Sequence, residues 1–249
     1  MIFSNQKLIF LHVPRCAGTA INQFLWNKEN SGLPFPQDPA SCHLDLMWGT
    51  YEKYSTDAFT KIELDHALWR HYEYFHGLYF MENSSNIFSV VRDPLSRLIS
   101  VYQRALTIKE NRFFSKNSNG FIEYCVTSFL QKARQSIEEF HEDSTDLKVK
   151  HNHMDFSHFI PQVEILGDRK GEVNGVTIIP IERLDTFASN QISKPFGLFG
   201  FKRSLSSAIK NSFPCPISED EFLLFEDFSL HYYSKDSLLH KSALESFPL

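Results

Sequence analysis

Leu8-Ile9-Phe10-Leu11-His12-Val13-Pro14-Arg15-Cys16-Ala17-Gly18-Thr19-Ala20 is the stretch that decides the fold. Its first four residues form an unbroken apolar run closed by a proline, the pattern of a parallel strand buried on both faces. Past the turn, Ile21, Phe24 and Leu25 recur at helical spacing, so a helix opens near Gly18 or Thr19 and lays that stripe on the sheet. A strand, a short turn and a helix start bring several backbone N–H groups and the positive end of a helix dipole to one point, which favours an anion. Ala17 and Gly18 leave room for an oxyanion to approach, Thr19 offers a hydroxyl, and Arg15 brings a permanent charge with a planar donor fork. The turn is shorter than G-x-x-x-x-G-K-[ST] and lacks its Lys-Ser/Thr pair, which argues against a Walker-type ATP or GTP site. Small residues also serve plain sterics at such a turn, so this stretch alone supports a bland strand-to-helix turn equally well.

A second strand end repeats the arrangement. Ile87-Phe88-Ser89-Val90-Val91 is an apolar strand ending at Arg92, Asp93 is placed as a helix N-cap, and Pro94 takes the first helical position. Leu95, Leu98, Ile99 and Tyr102 mark a buried face, and a helical wheel puts Ser96, Arg97, Ser100 and Arg104 on the opposite one, basic and hydroxylated.

Through these two stretches together, the chain resembles the carbohydrate-type sulfotransferases that use 3'-phosphoadenosine-5'-phosphosulfate (PAPS) as donor, heparan sulfate 2-O-sulfotransferase and its bacterial relatives among them. That family's first motif, close to H-x-P-K-x-x-G-T, binds the 5'-phosphate, and its R-D-P-x-x-R-x-x-S-x-Y motif binds the 3'-phosphate. His12 to Thr19 and Arg92 to Tyr102 follow those patterns in order. The resemblance implies that Arg15, Gly18, Thr19 and Ala20, with Cys16 and Ala17 of the same turn, hold the 5'-phosphosulfate end. It implies that Arg92 and Ser100 hold the 3'-phosphate, that PAP is the product, and that a hydroxyl of a glycan or small molecule is the acceptor. Where the family more often has lysine this chain has Arg15, which suits charge stabilisation better than proton donation.

Later segments fit more loosely. His158-Phe159-Ile160-Pro161-Gln162 is similar to the family's H-x-x-P-Q stretch, and Ile181-Glu182-Arg183-Leu184 to its strand-end E-x-L. Lys202-Arg203-Ser204 lies where relatives place a basic loop over the nucleotide, a solvated charge cluster being the alternative. In-line sulfuryl transfer needs positioning, charge stabilisation and a base for the acceptor hydroxyl. His76, in Tyr74-Phe75-His76-Gly77-Leu78-Tyr79-Phe80, is the first candidate, because the family has a catalytic G-H segment there; here histidine precedes glycine. His71 and His66 are alternatives, and His12 is expected to orient Arg15 or satisfy a backbone carbonyl. Cys16 at a helix start either has a lowered pKa or simply fills the turn. His151, His153 and His158 lack a completing ligand set, so no metal is expected.

The rest of the chain sets bounds. With 249 residues, 42% hydrophobic and 22% charged, it is read as one sulfotransferase-like domain over residues 1–249. The expected fold is α/β: a P-loop-like doubly wound sheet, mainly parallel, flanked by helices, with extra helices at the C-terminal end. Helices are read at Phe121 to Ala133 and Glu219 to Leu239, a late strand at Val176 to Ile179, and a further strand-like aromatic run at Tyr72 to Phe80. Asn30 to Ala40, with Gly32, Pro34, Pro36 and Pro39, reads as a loop, and Glu138 to His153 as a polar, mobile segment. A net charge of -5 gives no general attraction to nucleic acid or anionic membranes, so any anion site must be local. No apolar run approaches the roughly 20 residues of a membrane span and no signal-peptide pattern opens the chain, so a cytoplasmic protein is expected. Cys16, Cys42, Cys125 and Cys215 are scattered and read as reduced thiols. Trp48, Tyr51, Trp69, Tyr72 and Tyr74 either stack on sugar rings or pack a core. No residue pattern specifies an oligomeric state. Three rivals remain open: a nucleotide-binding pseudoenzyme that keeps both phosphate motifs, a kinase-like phosphotransferase, which needs a Walker lysine the chain lacks, and an α/β interaction protein in which both motifs are only turns and caps.

Overall fold

The structure is a computed structural model and describes residues 2–3, 8–29, 86–107, 118–126, 158, 160–168, 170–187 and 217–247. Its centre is β2 (Leu8–Leu11), every residue of which is buried, as the apolar run requires. An edge strand β1 (Ile2–Phe3) pairs antiparallel with β2. On the other side β3 (Asn86–Val91) pairs parallel with β2, Leu8 opposite Asn86 and Leu11 opposite Ser89. β4 (Thr177–Pro180) pairs parallel with β3, Val91 opposite Pro180. The sheet order is β1-β2-β3-β4, so three neighbouring strands run in one direction. The α/β, mainly parallel expectation is met; the reversal of strand order that makes a sheet doubly wound is not present among the described strands.

Helices supply the flanks. α1 (Gly18–Glu29) buries Ala20, Ile21, Phe24 and Leu25, the stripe read from its spacing. α2 (Pro94–Thr107) begins at the proline, and Asp93 Oδ1 accepts from Ser96 N at 2.8 Å, the expected cap. α3 (Ser118–Tyr124) starts earlier than Phe121, and residues 127–133 of the expected helix lie outside the described set. Short α4 (Gln162–Leu166) and α5 (Leu184–Phe187) flank β4, the latter after a 3-10 turn at Ile181–Arg183. The helix expected at Glu219 to Leu239 is two helices, α6 (Glu219–Tyr232) and α7 (Ser234–Ser246). Tyr233 departs from helical geometry at φ -117 and ψ 26 and points its ring into the core, 2% exposed. Neither glycine nor proline marks that break, so the apolar periodicity ran straight through it.

A single apolar cluster joins β2, β3, α1 and α2 to Phe121, Leu184, Phe187, Phe225 and Phe228. Phe10 lies 5.0 Å from Phe88, and Tyr102 lies 5.2 Å from Phe121 and 5.0 Å from Phe225, ring centre to ring centre. Such aromatic pairs add about 0.5–1.5 kcal/mol each to their area burial. They lock α6 onto α2, and α7 packs on β4, α4 and α2. The readings at Asn30 to Ala40, Tyr72 to Phe80 and Glu138 to His153, and the aromatic set from Trp48 to Tyr74, fall outside the described residues.

Candidate functional site

The parallel registers bring the carboxyl ends of β2, β3 and β4 side by side. Three segments therefore emerge together: the turn from His12 to Ala17, the Arg92-Asp93 link, and the Ile181–Arg183 turn. Open α/β sheets bind ligands at that edge. Ser89 Oγ donates to Leu11 O at 2.7 Å, tying the first two strand ends together.

Within the first turn, Arg15 has φ 68 and Ala17 φ 61, left-handed conformations on residues that carry a Cβ. Each costs on the order of 1–3 kcal/mol, so the surroundings must over-determine it. Left-handed residues on either side of Cys16 curl the turn tightly, a nest-type backbone shape of the kind that suits an anion. Cys16 N donates to Val13 O at 3.3 Å, and Ile21 N to Ala17 O at 3.2 Å, which makes Ala17 the first acceptor of α1. The leading N–H groups of that helix have no intrahelical acceptor. Its first turn holds no acidic side chain to compete for them. Gly18 is required by close approach: a Cβ there would overlap the imidazole of His12. His12 is buried and stacked on Phe10, ring centres 5.8 Å apart, so its supporting role is to pack beneath the turn.

Charge gathers around this nest. Arg15 Nε and Nη2 donate to Ser100 Oγ at 3.1 and 3.0 Å, so one residue of each motif meets directly. Burial, then the charges of Arg104 and Arg92, push the Arg15 guanidinium below its ordinary value. A cation so placed is short of negative charge, and an oxyanion would supply it. The thiol of Cys16 is pushed up to about 12 by burial, so it stays protonated and fills the turn, leaving no thiolate for chemistry.

One reading of the second motif is corrected. Arg97 does not share an exposed basic face with Ser96, Ser100 and Arg104; it is only 2% exposed. Its Nε donates to Pro14 O at 3.1 Å and its Nη1 to Ile160 O at 3.0 Å. The fully buried line of α2 is Pro94, Arg97, Leu98, Val101 and Tyr102, turned by about one residue from the expected Leu95-Leu98-Ile99-Tyr102 stripe. Leu95 and Ile99 are partly buried against the core.

Sequence reasoning gave too little weight to Gln162 and missed Asp236. Gln162 is fully buried and bonds Arg92 at both backbone groups, and Asp236 of α7 receives the backbone N–H groups of Gln162 and Val163. The Pro-Gln pair was the available signal for the first; an acidic residue inside an otherwise solvated helix gave none for the second. Glu182, in the turn just after β4, accepts from His240 Nε2 at 2.9 Å through Oε2. Burial opposes its charge, but the His240 contact and the charge of Arg92 hold its carboxyl below the usual range. His76, His71, His66, His151, His153, Lys202 and Arg203 lie outside the described residues. Among the described residues there is no cluster of three or more metal-ligating side chains, and no helix long and apolar enough to cross a membrane.

A tight strand-to-helix turn with Arg15, Arg92 and Arg104 gathered beside it lies at the carboxyl end of a parallel sheet, the arrangement of an α/β protein with a candidate anion site. The sulfotransferase family model matches residues 1–211, and the chain belongs to that family, whose chemistry is sulfuryl transfer to an acceptor. No curated protein and no solved structure matches the chain.

Proposed function

We propose that the protein is a PAPS-dependent sulfotransferase that moves a sulfuryl group to a hydroxyl, with a carbohydrate as acceptor. The observation that carries this reading is the Arg15–Ser100 contact, which joins the two phosphate motifs beside Arg92 and Arg104. In this reading the turn from Arg15 through Cys16, Ala17, Gly18 and Thr19 to Ala20 holds the 5' end of the donor. Arg92 and Ser100 hold the 3'-phosphate, and Lys202 and Arg203 close over the nucleotide.

The residues present fit such a donor. Two phosphate-bearing ends need two groups of donors, and the nest and the Arg92-Ser100 pair are two groups bridged by one side chain. The phosphosulfate supplies a leaving group that departs as a stable phosphate anion, so the protein's task is positioning and charge stabilisation. Arg15 and the α1 N–H groups do that; His76 takes the proton of the acceptor hydroxyl. The architecture in this reading is a single P-loop-like doubly wound domain over residues 1–249, at work in the cytoplasm without a metal. A second reading, a PAP- or PAPS-binding pseudoenzyme, is favoured by arginine in the place of the family's lysine.

Turnover separates the two. With PAPS and a panel of hydroxylated glycans, the wild type should release PAP with sulfonated product, and Arg15→Ala and Arg92→Ala should each lose at least about 100-fold in kcat/KM. Unchanged sulfonation in either variant would remove that residue from the site, and PAP binding without turnover in the wild type would select the pseudoenzyme.

A further inference from the structure

Two phosphate-binding segments work together only if their spacing is fixed. In this chain they come from loops far apart in sequence, and the link between them is a third segment. Gln162, 0% exposed, uses both ends of its amide on one residue: Nε2 donates to Arg92 O at 2.8 Å, and Oε1 accepts from Arg92 N at 3.0 Å. That is the bonding a neighbouring strand would give, supplied by a side chain just where β3 ends. The same Oε1 accepts from the Cys16 thiol at 3.5 Å, inside the nest. One amide thus touches the backbone of the second motif and the turn of the first.

Gln162 is itself held from outside. Asp236 of α7, 0% exposed, accepts from Gln162 N at 2.7 Å through Oδ2 and from Val163 N at 2.9 Å through Oδ1. It caps α4 in place of a local residue; Pro161 provides no side-chain cap. Arg97 supplies the buried counter-charge and braces the same frame, bonding Pro14 O before the nest and Ile160 O before Gln162. Burial pushes the Asp236 carboxyl up, and the Arg97 charge and the two N–H groups pull against that. Asp236 lies beyond residue 211, where the family match ends.

We infer that Gln162, set in place by Asp236 of the C-terminal helix, is a positioning residue that fixes Arg92 relative to the first phosphate turn and so determines how well the protein reads a second phosphate. This rests on the donor assignment proposed above. Loosening Gln162 frees both backbone groups of Arg92 but takes from the first turn only the weak Cys16 thiol contact, its backbone bonds Cys16 N to Val13 O and Ile21 N to Ala17 O being kept. The cost therefore falls on the 3'-phosphate, not on the 5' end.

The test is calorimetric binding of adenosine 3',5'-bisphosphate and adenosine 5'-monophosphate to wild type, Gln162→Glu and Asp236→Asn, each well below its melting temperature. The wild type should prefer the bisphosphate by 10-fold or more. Both variants should lose at least 10-fold in bisphosphate affinity and keep monophosphate affinity within about 2-fold, and amide exchange at Arg92 should quicken in Gln162→Glu. Equal losses for the two nucleotides, no loss for either, or failure of both variants to fold would assign Gln162 and Asp236 to stability alone and overturn the inference. A wild type that binds neither adenosine phosphate overturns the donor assignment instead, while quickened exchange at Arg92 would still report the Gln162 clamp.

Discussion

Gly18 shows how much a single missing side chain does. It stands at the first position of α1, where alanine gains at most the about 1 kcal/mol it has over glycine in a helix interior. Against that gain, an added Cβ meets the buried His12 ring, whose stacking on Phe10 restricts its escape. Overpacking of this kind costs typically about 1–3 kcal/mol, so sterics win. Gly18→Ala should lower the urea midpoint without changing the slope, and should weaken binding of adenosine 3',5'-bisphosphate by distorting the nest. An alanine variant that is more stable and binds equally well would show that His12 does not support the turn. Residue types with a local signal were legible in the sequence: Asp93 caps α2 as its position suggested, and Arg15 and Ser100, read from separate motifs, are in contact, while Gly18 makes room for the His12 ring, a reason its spacing did not give. Arg97 was not, because an arginine in a helical pattern reads as solvated. Its burial depends on two backbone carbonyls and Asp236 at sequence separations of 63 or more, which no local pattern carries.

At the scale of elements, β2, β3, β4 and the starts of α1 and α2 were readable because apolar runs, a cap and a proline are local signals. The division of α6 from α7 was not, because Tyr233 breaks the helix for the sake of core packing. The start of α6 has a signal that the helical spacing alone did not use: Ser218 and Glu221 form a capping box, Glu221 N donating to Ser218 Oγ at 3.2 Å and Ser218 N to Glu221 Oε2 at 2.9 Å. Glu221 also accepts from the Tyr102 hydroxyl at 3.1 Å, which anchors the end of α6 to α2. The Ser218 backbone bond is the main cause that holds the Glu221 carboxyl below its usual range. A depressed carboxyl stabilises the fold above its unfolded value, roughly pH 4.3, and loses that contribution as pH falls through the lower folded value. Glu221→Ala should therefore destabilise more at pH 7 than near pH 2, by roughly 0.5 kcal/mol for a charge this open to solvent, read from urea melts at the two pH values. A penalty that is the same at both would contradict a role for the charge.

For the whole molecule, the family match over residues 1–211 leaves out helices that the core uses. Phe225, Phe228, Tyr233 and Ala243 belong to the same cluster as β2 and β3. Losing one buried Phe commonly costs about 3–5 kcal/mol, and total stability of a domain is about 5–15 kcal/mol. A chain ending at residue 216 should be insoluble or molten, with loss of near-ultraviolet dichroism; a folded, nucleotide-binding truncation would refute the dependence of the sheet on α6 and α7. Net charge of -5 on the chain, with Arg15, Arg92 and Arg104 drawn together at one edge, makes the site a local positive exception. Which nucleotide fills it is the central claim. The most direct measurement is thermal unfolding with saturating adenosine 3',5'-bisphosphate compared with ATP and magnesium. The melting temperature should rise by several degrees with the bisphosphate, on the order of 2.7 kcal/mol at 100 times its dissociation constant, and by less with ATP; a greater rise with ATP would contradict the donor assignment.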